Sequence, residues 1–475
     1  MVCTIQFNPG PHTQCRTQSG KEQARHANCH TDVKKDCRIS DTELLSPVVI
    51  SAHVNYLPTE ILLVIFRLVE ASSLGGASNL PYVCQRWMEV VAMDPACWRL
   101  LTVWPDKPEL FVIPVVRAFF DATRDSRISI QILADHRVTP TITVAEEHDR
   151  IRQVMEYAQP HFQRLEALHI KTAYRSSVVV VSQYLNKASL GKLRWLGLDS
   201  WNVDSTAPLL ITSVNLSKVD VLRIDAKSFG DLCRADILWP PIGVRHEDDG
   251  STYNIQLHLY ITRYHPAEPS HLMSALDLLI PLSLLNEKVN IRPTIFDVAF
   301  DPQSFEWCSR VETPLHFESA DLADMDGPFI PTFFRCVSQP LGHLTLRRCE
   351  ILPDTNIRSR FIRLKGIASA SSMLNVLKTW NGQNLGITDC PGFNDEVLRD
   401  LTDGNPACYQ HLRALLVTGA TYTAEAFKCM VERRYPAGPP STQERWSIDV
   451  KNGPELTAEL RSWFEARVPS FSWSS

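Results

Sequence analysis

Residues 341–351 read LGHLTLRRCEI. Leu344 and Leu346 alternate with polar neighbours, so an extended chain would carry both on one face. Leu341 stands three residues earlier, and Cys349 and Ile351 prolong the apolar series beyond the strand. The same spacing recurs along the chain. It appears as Leu165-x-x-Leu168-x-Ile170, Leu193-x-x-Leu196-x-Leu198 and Val219-x-x-Leu222-x-Ile224. It returns as Leu385-x-Ile387-x-x-Cys390, Leu412-x-x-Leu415-x-Val417 and Trp446-x-Ile448-x-Val450. Ile128-x-Ile130-x-Ile132 is the first strand candidate. Leu168 to Leu196 is 28 residues and Leu196 to Leu222 is 26, a spacing typical of stacked repeat units.

Helical periodicity fills the intervals. It predicts helices over 111–123, 146–158, 359–379, 394–401 and 424–434, with a last one over 454–467 that puts Leu456, Leu460, Trp463 and Phe464 on one face. The L-x-x-L-x-L core at this period resembles the leucine-rich repeat. The resemblance implies an irregular α/β solenoid over 105–475, ending in a cap at 452–468. In such repeats a small residue at the position of Cys349 turns inward where the coil bends. The stretch 226–340 fits less well. It is punctuated by Pro240, Pro241, Pro266, Pro269, Pro281, Pro293, Pro302 and Pro314, although Ile255-x-Leu257-x-Leu259-x-Ile261 and Phe296-x-Val298-x-Phe300 alternate as strands do. Residues 245–251 (RHEDDGS) read as an exposed insertion. An α/β array of another kind, or two domains, is the alternative.

Upstream the character differs. Residues 1–52 are polar, lack apolar periodicity and read as a disordered tail. They hold Cys3, Cys15, Cys29 and Cys37 beside His12, His26 and His30, in spacings that match no usual zinc finger. At Tyr56 the composition changes. Leu57-Pro58-Thr59-Glu60 opens an apolar helix, with Pro58 suited to its first position and Glu60 favourable against the helix dipole. Ile61, Leu62, Ile65, Phe66, Leu68 and Val69 form two stripes, leaving Thr59, Leu63, Arg67 and Glu70 outward. Further helices are predicted over 78–91 and 95–103. Three short helices make too small a core to need both stripes, so the second asks for a partner. The rest of the chain could supply it.

The run from Leu57 to Val103 resembles an F-box. It carries Leu-Pro-x-Glu-Ile-Leu (57–62), Ile65-Phe66, Val83-Cys84-x-x-Trp87 and Pro95-x-x-Trp98-Arg99-x-Leu101 in order. The resemblance implies a three-helix unit over 53–104 that binds the Skp-type adaptor of a cullin–RING ubiquitin ligase. Leu57, Pro58, Ile61, Leu62, Ile65, Phe66, Val83, Cys84, Trp87, Trp98 and Leu101 are then the adaptor-binding residues. The chain departs from the pattern in a glycine-rich loop at 71–78 and in Gln85, where a basic residue is common.

The chain has 475 residues and a net charge of −5, so no global basic field draws it to nucleic acid or anionic lipid. Its apolar runs are too short to span a bilayer. Thirteen cysteines without Cys-x-x-Cys fit reduced thiols in cytosol or nucleus. No phosphate loop, Gly-x-Ser-x-Gly elbow, His-Glu-x-x-His helix or dinucleotide fingerprint occurs, which speaks against an enzyme and predicts neither cofactor nor metal. Glu146-Glu147-His148-Asp149 reads as a solvated helix start, and Cys408-Tyr409-Gln410-His411 lacks a second ligand pair. Trp195, Trp201, Trp239, Trp307 and Trp380 lie near strand ends and are the first candidates for contact with a protein target. The function expected is substrate recruitment to a ubiquitin ligase. A non-ligase scaffold, or an enzyme domain after residue 104, is the alternative.

Overall fold

The computed structural model describes residues 56–475, apart from 73–79, 81–82, 95–97, 109, 136–141, 241–243, 247–251, 255, 311–313, 404–410, 420 and 435–445. The predicted tail, 1–52, with its cysteines and histidines, lies outside the described residues. From Asn55 onward the chain forms one compact unit of mixed α/β type.

Its frame is a single sheet of fourteen parallel strands, each hydrogen-bonded to the next in chain order. They are β1 (Leu100–Val103), β2 (Ile128–Leu133), β3 (Leu165–Tyr174), β4 (Trp195–Asn202), β5 (Val221–Asp225), β6 (Leu257–Thr262) and β7 (Ile291–Phe296). There follow β8 (Ser319–Ala323), β9 (Leu341–Arg347), β10 (Ser359–Lys365), β11 (Asn384–Thr388), β12 (Ala414–Thr418), β13 (Ser447–Lys451) and β14 (Ser470–Trp473). Two helices precede the sheet, α1 (Thr59–Ser72) and α2 (Gln85–Ala92). Ten more connect its strands: α3 (Ile113–Thr123), α4 (Val144–Ala158), α5 (Arg175–Leu185), α6 (Ala226–Cys233) and α7 (Ala275–Asn286) in the first half. The second half has α8 (Phe329–Cys336), α9 (Ala370–Thr379), α10 (Asp395–Asp403), α11 (Ala424–Arg434) and α12 (Ala458–Arg467).

The repeated spacing in the sequence has a direct structural meaning. Strand pairing aligns Val103, Ile132, Ile170, Leu198, Ile224, Ile261 and Ile295 in one column. The column continues through Leu322, Leu346, Leu364, Ile387, Val417, Val450 and Trp473. Every member is buried. A second column two residues upstream holds Leu101, Ile130, Leu168, Leu196, Leu222 and Leu259. The intervening residues are half-buried or exposed, as in β2 and β9. A parallel sheet covered on both faces would be apolar throughout; this one alternates, so its helices cover one face and leave the other open.

From β7 to β13 each strand ends in the same way. The residue that follows it is left-handed: Asp297, Asp324, Arg348, Gly366, Asp389, Gly419 and Asn452, with φ between 48° and 92°. Glycine, Asp and Asn tolerate that region best. Arg348 is the exception, and its guanidinium forms a two-pronged bond to Asp324, the corresponding residue one unit earlier. The peptide N–H of the turn residue extends the ladder at six of these seven positions; Asp324 donates to Arg347 O (2.8 Å), Arg348 to Lys365 O (2.8 Å) and Asp389 to Thr418 O (2.9 Å). The chain then bends under the sheet, and Cys349 and Cys390 turn inward as expected. Both are buried. Burial pushes the Cys349 thiol up to about 11.

The first half uses another device. β3 and β5 run directly into α5 and α6, and buried charges tie these junctions together. Arg175 is wholly buried. Its guanidinium donates to Ser205 O (2.9 Å), Ala207 O (2.7 Å) and Ser228 Oγ (3.1 Å), and pairs with Asp225 (3.3 Å) and Asp231 (3.5 Å). Burial raises the Asp225 carboxyl from its ordinary value, while Arg175 and Ser228 pull against that rise.

Several expectations are corrected. Residues 100–103 are strand, not the end of a third helix; Leu101 and Val103 alternate with period two and pair with Ile130 and Ile132. The predicted three-helix unit therefore has two α-helices among the described residues, and its last segment belongs to the sheet. The second of them is Gln85–Ala92, shorter than 78–91. Residues 359–365 are β10, and only 370–379 are helix. The strand expected at 296–300 lies earlier, as β7, with Pro293 paired to Leu259 inside it. The predicted cap helix is followed by an edge strand, β14. The flanks of 245–251 pair antiparallel as a hairpin, Val244–His246 with Thr252–Asn254.

The Arg175 cluster predicts a large effect from one change. Arg175→Met should destabilise the protein by roughly 3–5 kcal/mol, because it leaves Asp225 buried without its cation, whereas Asp231 keeps Lys227 and Arg234. Removing the cation raises the folded-state pKa of Asp225 further. Stability is then present at low pH and lost as pH rises, so the variant's deficit should be larger in mildly alkaline than in mildly acidic buffer. Urea unfolding at the two pH values checks this; a deficit under ~1 kcal/mol at both would refute it.

Candidate functional site

The sequence placed its candidate interface on the first helices, and the structure divides those residues into two sets. Leu62 and Phe66 are fully buried, and Trp98 and Leu101 nearly so. They belong to this chain's own core. The Trp98 indole donates to Val91 O (2.7 Å), and Phe66 packs on Trp87 with ring centroids 4.9 Å apart. These four cannot touch a partner without leaving the core, which corrects their assignment as contact residues. Leu57, Ile65 and Trp87 are half-buried against the same core, and Cys84 is half-buried.

The other set faces outward. Pro58 is exposed, and Ile61, Val64 and Leu68 expose 47%, 52% and 64% of their surface. They lie three and four residues apart, one stripe of α1. Val64 was not among the expected contacts, whereas Leu63, read as outward, packs against the core. Val83, Met88 and Met93 around α2 are exposed too. Of thirteen large apolar side chains exposed among the described residues, seven fall between Tyr56 and Met93. Scattered single apolar residues are ordinary on a surface, but this concentration is not. Arg86 donates to Leu57 O (2.6 Å) and Arg67 pairs with Asp94 (2.5 Å), which fixes the two helices on each other.

A second surface is the open face of the sheet. Its charged side chains mostly pair across neighbouring strands: Arg223 with Asp199 (2.9 Å), Arg347 with Asp321 (2.6 Å) and Arg263 with Asp297 (3.2 Å). Between β3 and β7 it sinks into a pocket of about 240 Å³ lined by Lys171, Asp199, Ser200, Trp201, Arg223 and Thr262, with Phe296 and Asp297 at its far side. Trp201 was an expected contact residue and is half-buried there. Trp195 stacks on His169, Trp239 is half-buried and Trp380 is core, so these do not gather with it. The side chain of Trp307 lies outside the described residues. Lys171, Asp199 and Arg223 were missed because no local motif joins them. Their signal is positional: Lys171 and Asp199 each directly follow the column residues Ile170 and Leu198.

Of the titratable cluster on α4, Glu146 is a solvated cap in a capping box with Thr143. Glu147 is not solvated. It is buried and accepts from Ala173 N (2.7 Å), Tyr174 N (3.2 Å) and Ser177 Oγ (2.5 Å), closing the start of α5; burial raises its pKa. Residues 408–410 of the other candidate lie outside the described residues. Among the described residues no group of three His, Cys, Asp or Glu side chains could hold a metal, and no helix is long and apolar enough to cross a membrane.

The division of α1 is testable by stability. Val64→Ser and Leu68→Ser should each shift unfolding by less than ~0.5 kcal/mol, as exposed sites do. Phe66→Ala should cost about 3–5 kcal/mol. Equal losses in urea unfolding would show the faces misassigned. No family model matches the chain, and no curated protein matches it, so the case for the α1 face rests on its own residues.

Proposed function

We propose that this protein is a substrate-recruiting adaptor of a ubiquitin ligase. Residues from Leu57 to Leu101 act as an F-box that docks on a Skp-type adaptor and, through it, on cullin and RING subunits. The sheet, an irregular leucine-rich-repeat solenoid on this reading, holds a protein target. The observation that carries the proposal is the exposed stripe Ile61, Val64 and Leu68, on the helix opened by Leu57-Pro58 where the ordered F-box motifs begin. An apolar stripe left uncovered by the chain's own core is what a docking helix needs. On this reading no residue performs bond chemistry. The adaptor raises the effective concentration of a target's lysines at the transfer machinery, in the cytosol or nucleus.

Capture of a Skp-type adaptor by the purified full chain tests the proposal. Val64→Asp with Leu68→Asp should weaken capture at least tenfold, since burying one such side chain is worth about 1.5–3 kcal/mol and each ~1.4 kcal/mol is tenfold. Lys365→Ala, at the distant end of β10, should leave capture unchanged. A folded parent chain that captures no adaptor overturns the proposal.

A further inference from the structure

The open face pairs most of its charges across neighbouring strands, but not those of β10. The open-face positions of β9, β10, β11 and β12 hold three cations, Arg347, Arg363 and Lys365, and no carboxylate. The carboxylates on the two flanking strands are taken. Asp321 on β8 accepts two bonds from Arg347 (3.0 and 2.6 Å), and Asp449 on β13 pairs with Lys451 (3.6 Å). Glu350 and Asp389 lie beyond the strand ends, and among the described residues neither forms an ion pair with Arg363 or Lys365. Arg363 and Lys365 are exposed. Lys365 also stands directly opposite Arg347, a like-charge pairing that sheets disfavour.

The surroundings suit an extended chain. Arg363 lies along Gly386 on β11, where a Cβ would stand 3.6 Å from its Cγ and 3.7 Å from its Nε. Thr388, Ala414 and Thr418 continue that floor with short side chains. On the other side Phe361 is half-buried. The His343 ring stacks on it at 4.5 Å, and the Arg360 guanidinium is 5.5 Å from its centroid. Arg363 and Lys365 are two residues apart on one face of a strand, so their Cα atoms lie about 6.6 Å apart. An extended peptide carries its alternate side chains at the same spacing.

We propose that the open face of β9–β12 binds an extended acidic segment of a protein target, with alternate carboxylates over Arg363 and Lys365 and an apolar side chain against Phe361. The proposal rests on the reading of the sheet as the part that holds a target, but not on the docking of α1. A carboxylate on a guanidinium makes charge-assisted, two-pronged bonds, and it offsets the repulsion between Lys365 and Arg347. The chain as a whole carries −5, so the attraction is confined to this patch. A long polyanion such as nucleic acid would meet repulsion elsewhere. Because the patch is exposed, salt should screen it.

Fluorescence anisotropy of the full chain at low ionic strength tests it. The probes are a labelled peptide of alternating Glu and Ser, its Gln-and-Ser counterpart, and single-stranded DNA of equal charge. The Glu peptide should bind, more weakly as salt is added, and the Gln peptide should not. Arg363→Glu with Lys365→Glu should weaken binding at least tenfold. Lys192→Glu with Lys218→Glu, at exposed sites outside the patch, makes the same change in net charge and should leave binding unchanged. If the β10 reversal lowers the melting temperature, Arg363→Gln with Lys365→Gln should still weaken binding severalfold. Val64→Asp with Leu68→Asp should leave peptide binding intact, so failure here and failure of adaptor capture are separate results. No binding of the Glu peptide by the parent chain overturns the proposal. So does equal binding of the Gln peptide, tighter binding of the DNA, full affinity in both β10 variants, or an equal loss in the Lys192 and Lys218 variant.

Discussion

One column of fourteen aliphatic or aromatic side chains, from Val103 to Trp473, has to stay in register for anything else in the sheet to form. In a strand the side chains alternate, so a slip of one residue in any strand would turn its apolar set toward solvent and its charges toward the helices. The column forbids such slips fourteen times over. The helices follow from it. Each needs only an apolar stripe to lie against the buried face, which explains how connections as different as the eight-residue α6 and the short side strand Ser213–Asn215 serve between neighbouring strands.

The open face obeys a second rule that depends on the first. With register held, a residue between two column positions always meets its counterpart on the next strand. Arg223 stands opposite Gly197 and reaches diagonally to Asp199, and Arg347 stands opposite Ala323 and reaches diagonally to Asp321; opposite charges in such positions support the pairing. Gly197 shows how close these contacts are. A Cβ there would stand 2.5 Å from the His169 ring, so the stacked His169 and Trp195 require a residue without one. Lys171 stands opposite Asp199 on the next strand, and its ammonium lies over the Trp201 ring.

The column was legible in the sequence wherever its members were large and evenly spaced. Ile170, Leu198, Ile224, Leu346, Val417 and Val450 all stand in the register that their spacing predicts. It was not legible where composition disguised it. Pro293 sits within β7, and proline argues against a central strand. In β8 only Leu322 is large, and alanine at 320 and 323 carries little signal. Phe361, Ile362 and Leu364 in β10 suit either a helix or a strand, and a run that short does not decide between them. On α1 the stripes were visible but their inward and outward sense was not. That sense is set by packing on α2, through Phe66 on Trp87. The pocket has no local signature, because its residues come from strands some two dozen positions apart.

The strictly sequential order of the strands has a mechanical consequence. Each strand hydrogen-bonds only to the strands before and after it in the chain, so no interior strand holds two distant parts of the sequence together. Contact energy in such an array is a sum over neighbours. A pull on the two ends of the sheet would then meet no central clamp. The load would fall on the outermost strand, which would peel away with its helix and pass the load to the next. The sheet would lengthen in a series of small steps, where a fold with its terminal strands paired at the centre resists until it breaks at once. The buried Arg175, which ties α5 to α6, is where that series should pause.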